Sequence, residues 1–273
     1  MPINPFHTLI IGADRPLGQY LARALAADNL HYKSYSIEGR ERVAILGSGQ
    51  PFFVLTPALA NGSDIEDALY WIETLEEHDA PIVLVSSLAV FAPQNQARHT
   101  ETSTRFADND HARRLLALEQ RVKQCRRHLI LRVGQSFSVQ AGDFAHALLM
   151  ALRDRVELTV DDVEFFCPTP DDDIATVLLA MMKQADCSDD LWGLYHFCGV
   201  EPVNAFGFTE ALLAEASQYE DLSNVRLESG AGGFRPVWQV PCGDVTHLFY
   251  TFGIKRRPWR SGLGRLLRRY YRA

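Results

Sequence analysis

The sequence predicts an α/β fold with a doubly wound parallel sheet and a smaller C-terminal lobe. Three observations lead there. Short, continuously apolar runs such as Ile82, Val83, Leu84 and Val85 read as strands buried on both faces. These runs alternate with helical stretches, the pattern of right-handed βαβ units. The alternation loosens after about residue 135, where helical stretches are joined by short strands and by glycine-rich loops such as 229–233.

Residues 7–11 form a short buried strand that ends at Gly12. Residues 17–27 are rich in Ala and Leu at helical spacing, with Pro16 suited to the first turn because its missing N–H is not needed there. Residues 31–37 alternate like a strand, and 51–56 form a third. Residues 64–78 are helical, with Asp64 as the expected N-cap. Residues 81–87 are a buried strand, 110–125 a helix and 128–133 another strand. Further helices are expected at 143–153, 172–182 and 209–217. The division that follows is a core over residues 1–135 and a mixed lobe over 136–273 that partly completes it.

The totals narrow the function classes. The 273 residues are 47% hydrophobic and 22% charged, the balance of a globular protein with a substantial core. No apolar run approaches the roughly 18 residues of a membrane span, and the first residues lack a secretory pattern. The five cysteines are scattered, with no C-x-x-C pair, and read as reduced thiols of a cytoplasmic protein. The net charge of −7 conceals an asymmetry: residues 255–273 hold eight Lys or Arg and no acid, so the remainder carries −15. An acidic body disfavours nonspecific nucleic-acid binding. The basic tail has Leu263, Leu266, Leu267 and Tyr270 on one helical face, which fits a terminal helix docked on that body better than an RNA or membrane contact.

The segment Gly12 to Gly18, between a strand and a helix, stands where a dinucleotide fold grips a pyrophosphate. The helix start supplies backbone donors. Gly12, Arg15, Leu17 and Gly18 are the candidate cofactor residues. The middle glycine is absent, because Arg15 and Pro16 occupy its place, so two readings stand open. Arg15 contacts a phosphate, such as the 2′-phosphate of NADP, or the turn is kept for its shape and the dinucleotide is lost. Glu38 is the nearest acid to the end of the second strand, with Arg40 and Arg42 beyond it, so NADP is preferred to NAD if either binds.

With these segments in view, the chain resembles extended short-chain dehydrogenases (a Rossmann fold), and among them the dTDP-4-dehydrorhamnose reductase (RmlD-like) family. Ser86, Ser87, Val90 and Phe91 look like that family's S-[ST]-x-x-V-F segment, and Glu101-Thr102 resembles its Glu-Thr. Leu131-Arg132, Pro168-Thr169, Asp173 with Ala175, Tyr195-His196 and Arg235-Pro236 follow in the family's order. The resemblance implies that Ser87 lies at the catalytic Ser/Thr place. It also implies a Tyr-x-x-x-Lys pair on the next helix, where the phenol gives a proton and the lysine tunes it and holds the nicotinamide ribose. Counting from Glu119, which looks like the family's helix glutamate, those places hold His111 and Leu115.

Histidine is a competent acid near neutral pH, so Ser87 and His111 are the candidate catalytic residues. Leucine cannot replace a lysine. The histidines show no metal spacing, and Asp171, Asp172 and Asp173 read as helix-start acids rather than cation ligands. No G-x-S-x-G elbow appears, which disfavours a hydrolase. Of the aromatics Phe165, Phe166, Trp192, Tyr195, Phe197, Phe206 and Phe208, most are expected in the core, with some available to line a nucleotide pocket.

The leading expectation is a protein that binds a nucleotide or sugar nucleotide, or supports a protein partner, without the Tyr/Lys pair. The alternatives are an NADP-dependent sugar-nucleotide reductase or epimerase using an altered acid, and a regulatory or scaffold subunit. A homodimer is compatible with each.

Overall fold

The computed structural model describes residues 7–39, 52–59, 61–75, 80–93 and 98–272. The first half alternates β1 (Thr8–Ile11), α1 (Pro16–Ala27), β2 (Tyr32–Tyr35), β3 (Phe52–Leu55), α2 (Gly62–Leu75), β4 (Ile82–Ser87), α3 (Asp110–Val122) and β5 (His128–Val133). The second half contains β6 (Gln135–Phe137), α4 (Phe144–Asp154), β7 (Glu157–Val160), β8 (Phe165–Phe166), β9 (Pro168–Pro170) and α5 (Asp171–Ala185). It continues with β10 (Gly193–Phe197), β11 (Val203–Asn204), α6 (Ala205–Ala216), β12 (Arg226–Ser229), α7 (Thr246–Phe252) and α8 (Trp259–Arg272).

Six of these strands pair in parallel in the order β10-β5-β4-β3-β1-β2. This is the doubly wound α/β sheet that the sequence predicts. Successive strand residues point to opposite faces, and two apolar layers result. Val83, Val85, Leu129 and Leu131 meet α1 and α5 through Leu21, Leu25, Ile174 and Leu178. Ile82, Leu84 and Ile130 meet α2 and α3 through Ile65, Trp71, Leu115 and Leu118. The chain leaves β1 toward β2 and returns to β3 on the other side, so the strand order reverses between β1 and β3. The crevice outside the carboxyl ends of those two strands is where ligands of this architecture bind.

The C-terminal half supplies β10 to the sheet and α5 to one of its faces. Asp171, Asp172 and Asp173 form the first turn of α5, where acids complement the helix dipole. The basic tail docks on them. Trp259, Leu263, Leu266 and Leu267 of α8 are buried, Tyr270 packs against the same core, and Arg265 pairs with Asp172 at 3.0 Å and Asp173 at 2.8 Å. Asp161 makes a turn by accepting from the N–H groups of Val163 and Glu164 at 3.0 and 3.2 Å. Among the described residues no helix is long and apolar enough to cross a membrane.

Two expectations are corrected. Asp64 lies inside the first turn of α2 rather than at its cap, because Ala58 N–H and the Asn61 amide draw its carboxylate back at 2.8 Å each. Cys167 and Cys242 form a disulfide, with Cα atoms 5.4 Å apart across 75 residues of sequence. Spacing along the chain cannot reveal such a pair, because the fold, not the sequence interval, brings the two segments together. Arg40 and Arg42, and the final residues of the helix expected to reach 78, lie outside the described residues.

Candidate active site and nucleotide crevice

The turn after β1 has the geometry its glycines imply. Gly12 takes φ +98°, and a Cβ there would lie 2.6 Å from the Thr56 carbonyl oxygen. A Cβ at Gly18 would sit 2.1 Å from the Gly12 carbonyl oxygen, so only glycine lets α1 pack this closely on the turn. Leu17 points into the core.

Arg15 is the N-terminal boundary residue of α1, and its side chain makes no cap. The guanidinium lies over the crevice, held by three carboxylates. Nε and Nη2 donate to both oxygens of Asp64 at 2.7 and 2.8 Å, Nη2 donates to Glu38 at 2.7 Å, and Nη1 pairs with Asp14 at 3.0 Å. Asp64 is fully buried. Asp14 is fixed in turn by Ile37 N–H at 3.0 Å and the Ser36 hydroxyl at 3.2 Å. The network joins the ends of β1, β2 and β3, and the Asp64 hydrogen bonds hold Arg15 well above its ordinary pKa range.

Helix α3 is capped by Asn109, which accepts from Ala112 N–H at 2.8 Å. Near its other end, Glu119 accepts from Arg132 Nε and Nη2 at 2.8 and 2.6 Å, and from the Ser86 hydroxyl at 2.6 Å. All three residues are buried. Arg132 also lies over the Phe91 ring at 4.9 Å. This contact locks the rotation and register of α3 against β4 and β5. Leu115, one turn before Glu119, is therefore directed at the sheet and is 0% exposed, in the layer formed by Ile82, Leu84 and Leu88.

His111, a further turn back, is 5% exposed and stacks on Trp238 with centroids 4.3 Å apart and planes 3° from parallel. Its Nε2 is buried without a hydrogen-bond partner. Burial, and then the positive charge of Arg114, push its pKa below the usual histidine range. Arg114 itself pairs with Glu66 on α2. The Ser87 hydroxyl does not meet His111; it accepts from Ala89 N–H at 3.0 Å and caps the single turn after β4.

Three of the segments that carried the resemblance, at Phe91, Glu101 and His196, meet beside Arg132. Glu101 accepts from His196 N–H at 3.0 Å. His196 Nδ1 lies 3.2 Å from the His99 carbonyl, and His99 stacks on Phe91 at 4.3 Å. Burial, reinforced by Arg132, takes the His196 pKa down to about 3. Phe166, Tyr195, Phe197 and Phe208 are core, and Trp192 and Phe206 pack against it. Phe165 is 58% exposed and, with Arg235, Trp238 and Glu164, lines a small hollow. Sequence reading missed Asp64 and Asp14 as partners of Arg15, and missed Trp238 altogether. Asp14 adjoins Arg15 in the chain and could have been considered from that alone, whereas nothing in the sequence brings Asp64 to it.

The comparisons agree with this architecture. Residues 71–272 match the family model described as the RmlD substrate binding domain. A dTDP-4-dehydrorhamnose reductase of Aggregatibacter actinomycetemcomitans is 24% identical over 288 aligned positions, covering 93% of this chain and 96% of that protein. A dTDP-4-dehydrorhamnose reductase structure from Clostridium acetobutylicum superposes with a TM-score of 0.80 at 16% identity, covering 97% of this chain and 99% of that one. Another, from Bacillus anthracis in complex with NADP, gives 0.75 at 16% identity over 97% and 99%. With its parallel sheet, its glycine turn and a family match that spans most of its length, the chain belongs to the RmlD substrate-binding domain family.

Proposed function

We propose that this chain is a member of its family without hydride-transfer activity, which binds a nucleotide or sugar nucleotide, or supports a protein partner. The observation that carries the reading is Arg15 in its cage of Asp64, Glu38 and Asp14. The residues around the loop do not fit a dinucleotide. Arg15 stands at the place of the middle glycine with its guanidinium tied to Asp14, Glu38 and Asp64, and Pro16 removes one backbone donor. Three carboxylates face one guanidinium, so the local charge repels a pyrophosphate rather than attracting it. Arg15 has Nε and Nη2 engaged by Asp64 and Glu38 and Nη1 paired with Asp14, so reading a 2′-phosphate would compete with three carboxylates.

The catalytic places support the same reading. Leu115 has nothing to donate to a ribose hydroxyl and no charge to lower the pKa of a neighbouring acid. His111, with its pKa lowered by burial, is neutral at pH 7, and a neutral imidazole is a poor proton donor. Trp238 lies on its face, where a substrate would need to approach.

The second reading, an NADP-dependent reductase or epimerase that uses Ser87 and His111, draws on the NADP complex of the Bacillus anthracis relative. The two are separated by following NADPH absorbance with dTDP-4-dehydrorhamnose as substrate. No oxidation above background is expected from the wild type. Steady oxidation that disappears in His111→Ala would establish the second reading instead.

A further inference from the structure

Residues 234–245 cross the molecule as a strap. At one end Phe234 is held to β7, with Phe234 N–H donating to the Thr159 carbonyl at 2.9 Å and Asp161 N–H to the Phe234 carbonyl at 3.2 Å. Midway, Trp238 covers His111. Val240 is buried in the layer against α3. At the far end, Asp244 N–H donates to the His99 carbonyl at 2.7 Å and His99 N–H to the Cys242 carbonyl at 3.3 Å. The covalent anchor at that end is the Cys167–Cys242 bridge. Cys167 is fully buried between β8 and β9, whereas Cys242 is partly exposed. Of the two ends of the bridge, Cys242 is therefore the more open to a small thiolate.

We propose that the Cys167–Cys242 bridge is a thiol-sensitive clasp that holds Trp238 over His111, so that its redox state sets access to the cleft. The proposal rests on the reading above that Trp238 closes this cleft. A low-molecular-weight thiol of the glutathione class attacks the Cys242 sulfur. The sulfur–sulfur bond breaks, Cys167 leaves and takes a proton, and Cys242 carries the mixed disulfide. A second thiol displaces it, giving two protein thiols and one glutathione disulfide. The protein gains two electrons and two protons, and two glutathione thiols lose them. The strap then keeps its backbone contacts but no covalent tie near α3. Local opening of a segment is governed by such ties more than by global stability.

The test uses the full chain equilibrated in oxidised or reduced glutathione and then trapped by alkylation. Mass mapping after alkylation in denaturant should find the 167–242 pair in the oxidised sample, with the other three cysteines alkylated or carrying glutathione, and all five alkylated in the reduced one. Chymotryptic cleavage after Trp238 should be at least about tenfold faster in the reduced sample, with the far-ultraviolet circular dichroism unchanged. Cys242→Ser should cleave at the reduced rate in both buffers. Failure of the pair to form, or equal cleavage in the two samples, would overturn the clasp. A dTDP titration separates this from the reading beneath it. Binding confined to the reduced form supports both, equal dTDP affinity in both forms would overturn the control of access while leaving nucleotide binding standing, and a cleavage contrast with no dTDP binding in either form would remove nucleotide binding and leave the clasp on Trp238.

Discussion

Near the C-terminal end of α3, Glu119 is buried against Arg132 and Ser86 with every carboxylate oxygen engaged. Toward the other end of the same helix, His111 is equally hidden from solvent, yet its Nε2 has no partner and its face is covered by Trp238. The first group positions the helix and the second would perform chemistry. On the function proposed above, the contrast teaches that a fold can keep the groups that position a helix while losing those that would act on a ligand. A buried ion pair resists the loss of either member, because the other is left charged and unpaired in a low-dielectric interior. A tyrosine or lysine that serves only a bound ligand has no such restraint. Leu115 fits the layer it occupies better than a charged group would.

That contrast can be broken by mutation. Glu119→Ala should lower unfolding stability in urea by about 3–5 kcal/mol, the range for stranding a buried partner. His111→Ala should lose only about 1 kcal/mol, because the lost ring stack on Trp238 is offset by removing a buried nitrogen that has no partner. Equal losses at the two ends would erase the distinction between scaffold and site.

Acidification probes the scaffold end through His196. Its folded pKa, about 3, lies below the ordinary histidine value because of burial and the nearby Arg132, against smaller opposing pulls from the hydrogen bond with the His99 carbonyl and from Asp244. The unfolded chain takes up a proton near pH 6.5 while the native state does not. This contribution is therefore complete above about pH 6.5 and is lost as the pH falls toward about 3, at about 1.4 kcal/mol per pH unit. His99 and His111, also shifted down by burial, steepen the same decline. Urea midpoints measured from pH 7 to 4.5 should fall accordingly, by about 2.7 kcal/mol at pH 4.5 from His196 alone. A flat profile would mean that His196 is reached by solvent protons in the native state.

At the nucleotide crevice, Arg15→Ala removes the guanidinium but leaves Asp64 with Ala58 N–H and Asn61. The expected loss is about 2 kcal/mol, as for hydrogen bonds to a charged group. The smallest effect belongs to the tail. Arg265→Ala should lose at most about 1 kcal/mol, and less at high salt, since its pairs are partly exposed.

The five strands of the first half, α1 and the glycine turn were legible in the sequence because they rest on local period and backbone sterics. That His111, Leu115 and Glu119 share one helix at one-turn intervals was legible from helical period alone. The Arg15 cage was not legible: its partners lie 23 and 49 residues away, and no spacing rule connects them. The Trp238 stack and the Cys167–Cys242 bridge were hidden for the same reason, since both depend on where the 234–245 strap crosses the finished fold.

The central claim is that the dinucleotide crevice is filled by the protein's own side chains. Thermal unfolding of the wild type with millimolar NAD, NADH, NADP and NADPH, each added separately, tests it most directly. A ligand that binds the native state must raise the midpoint by mass action, by about 2.7 kcal/mol at a concentration a hundredfold above its Kd. The account predicts no shift with any of the four. A clear shift with one of them would contradict it, because Arg15 would then have to leave its carboxylates or share them with a phosphate.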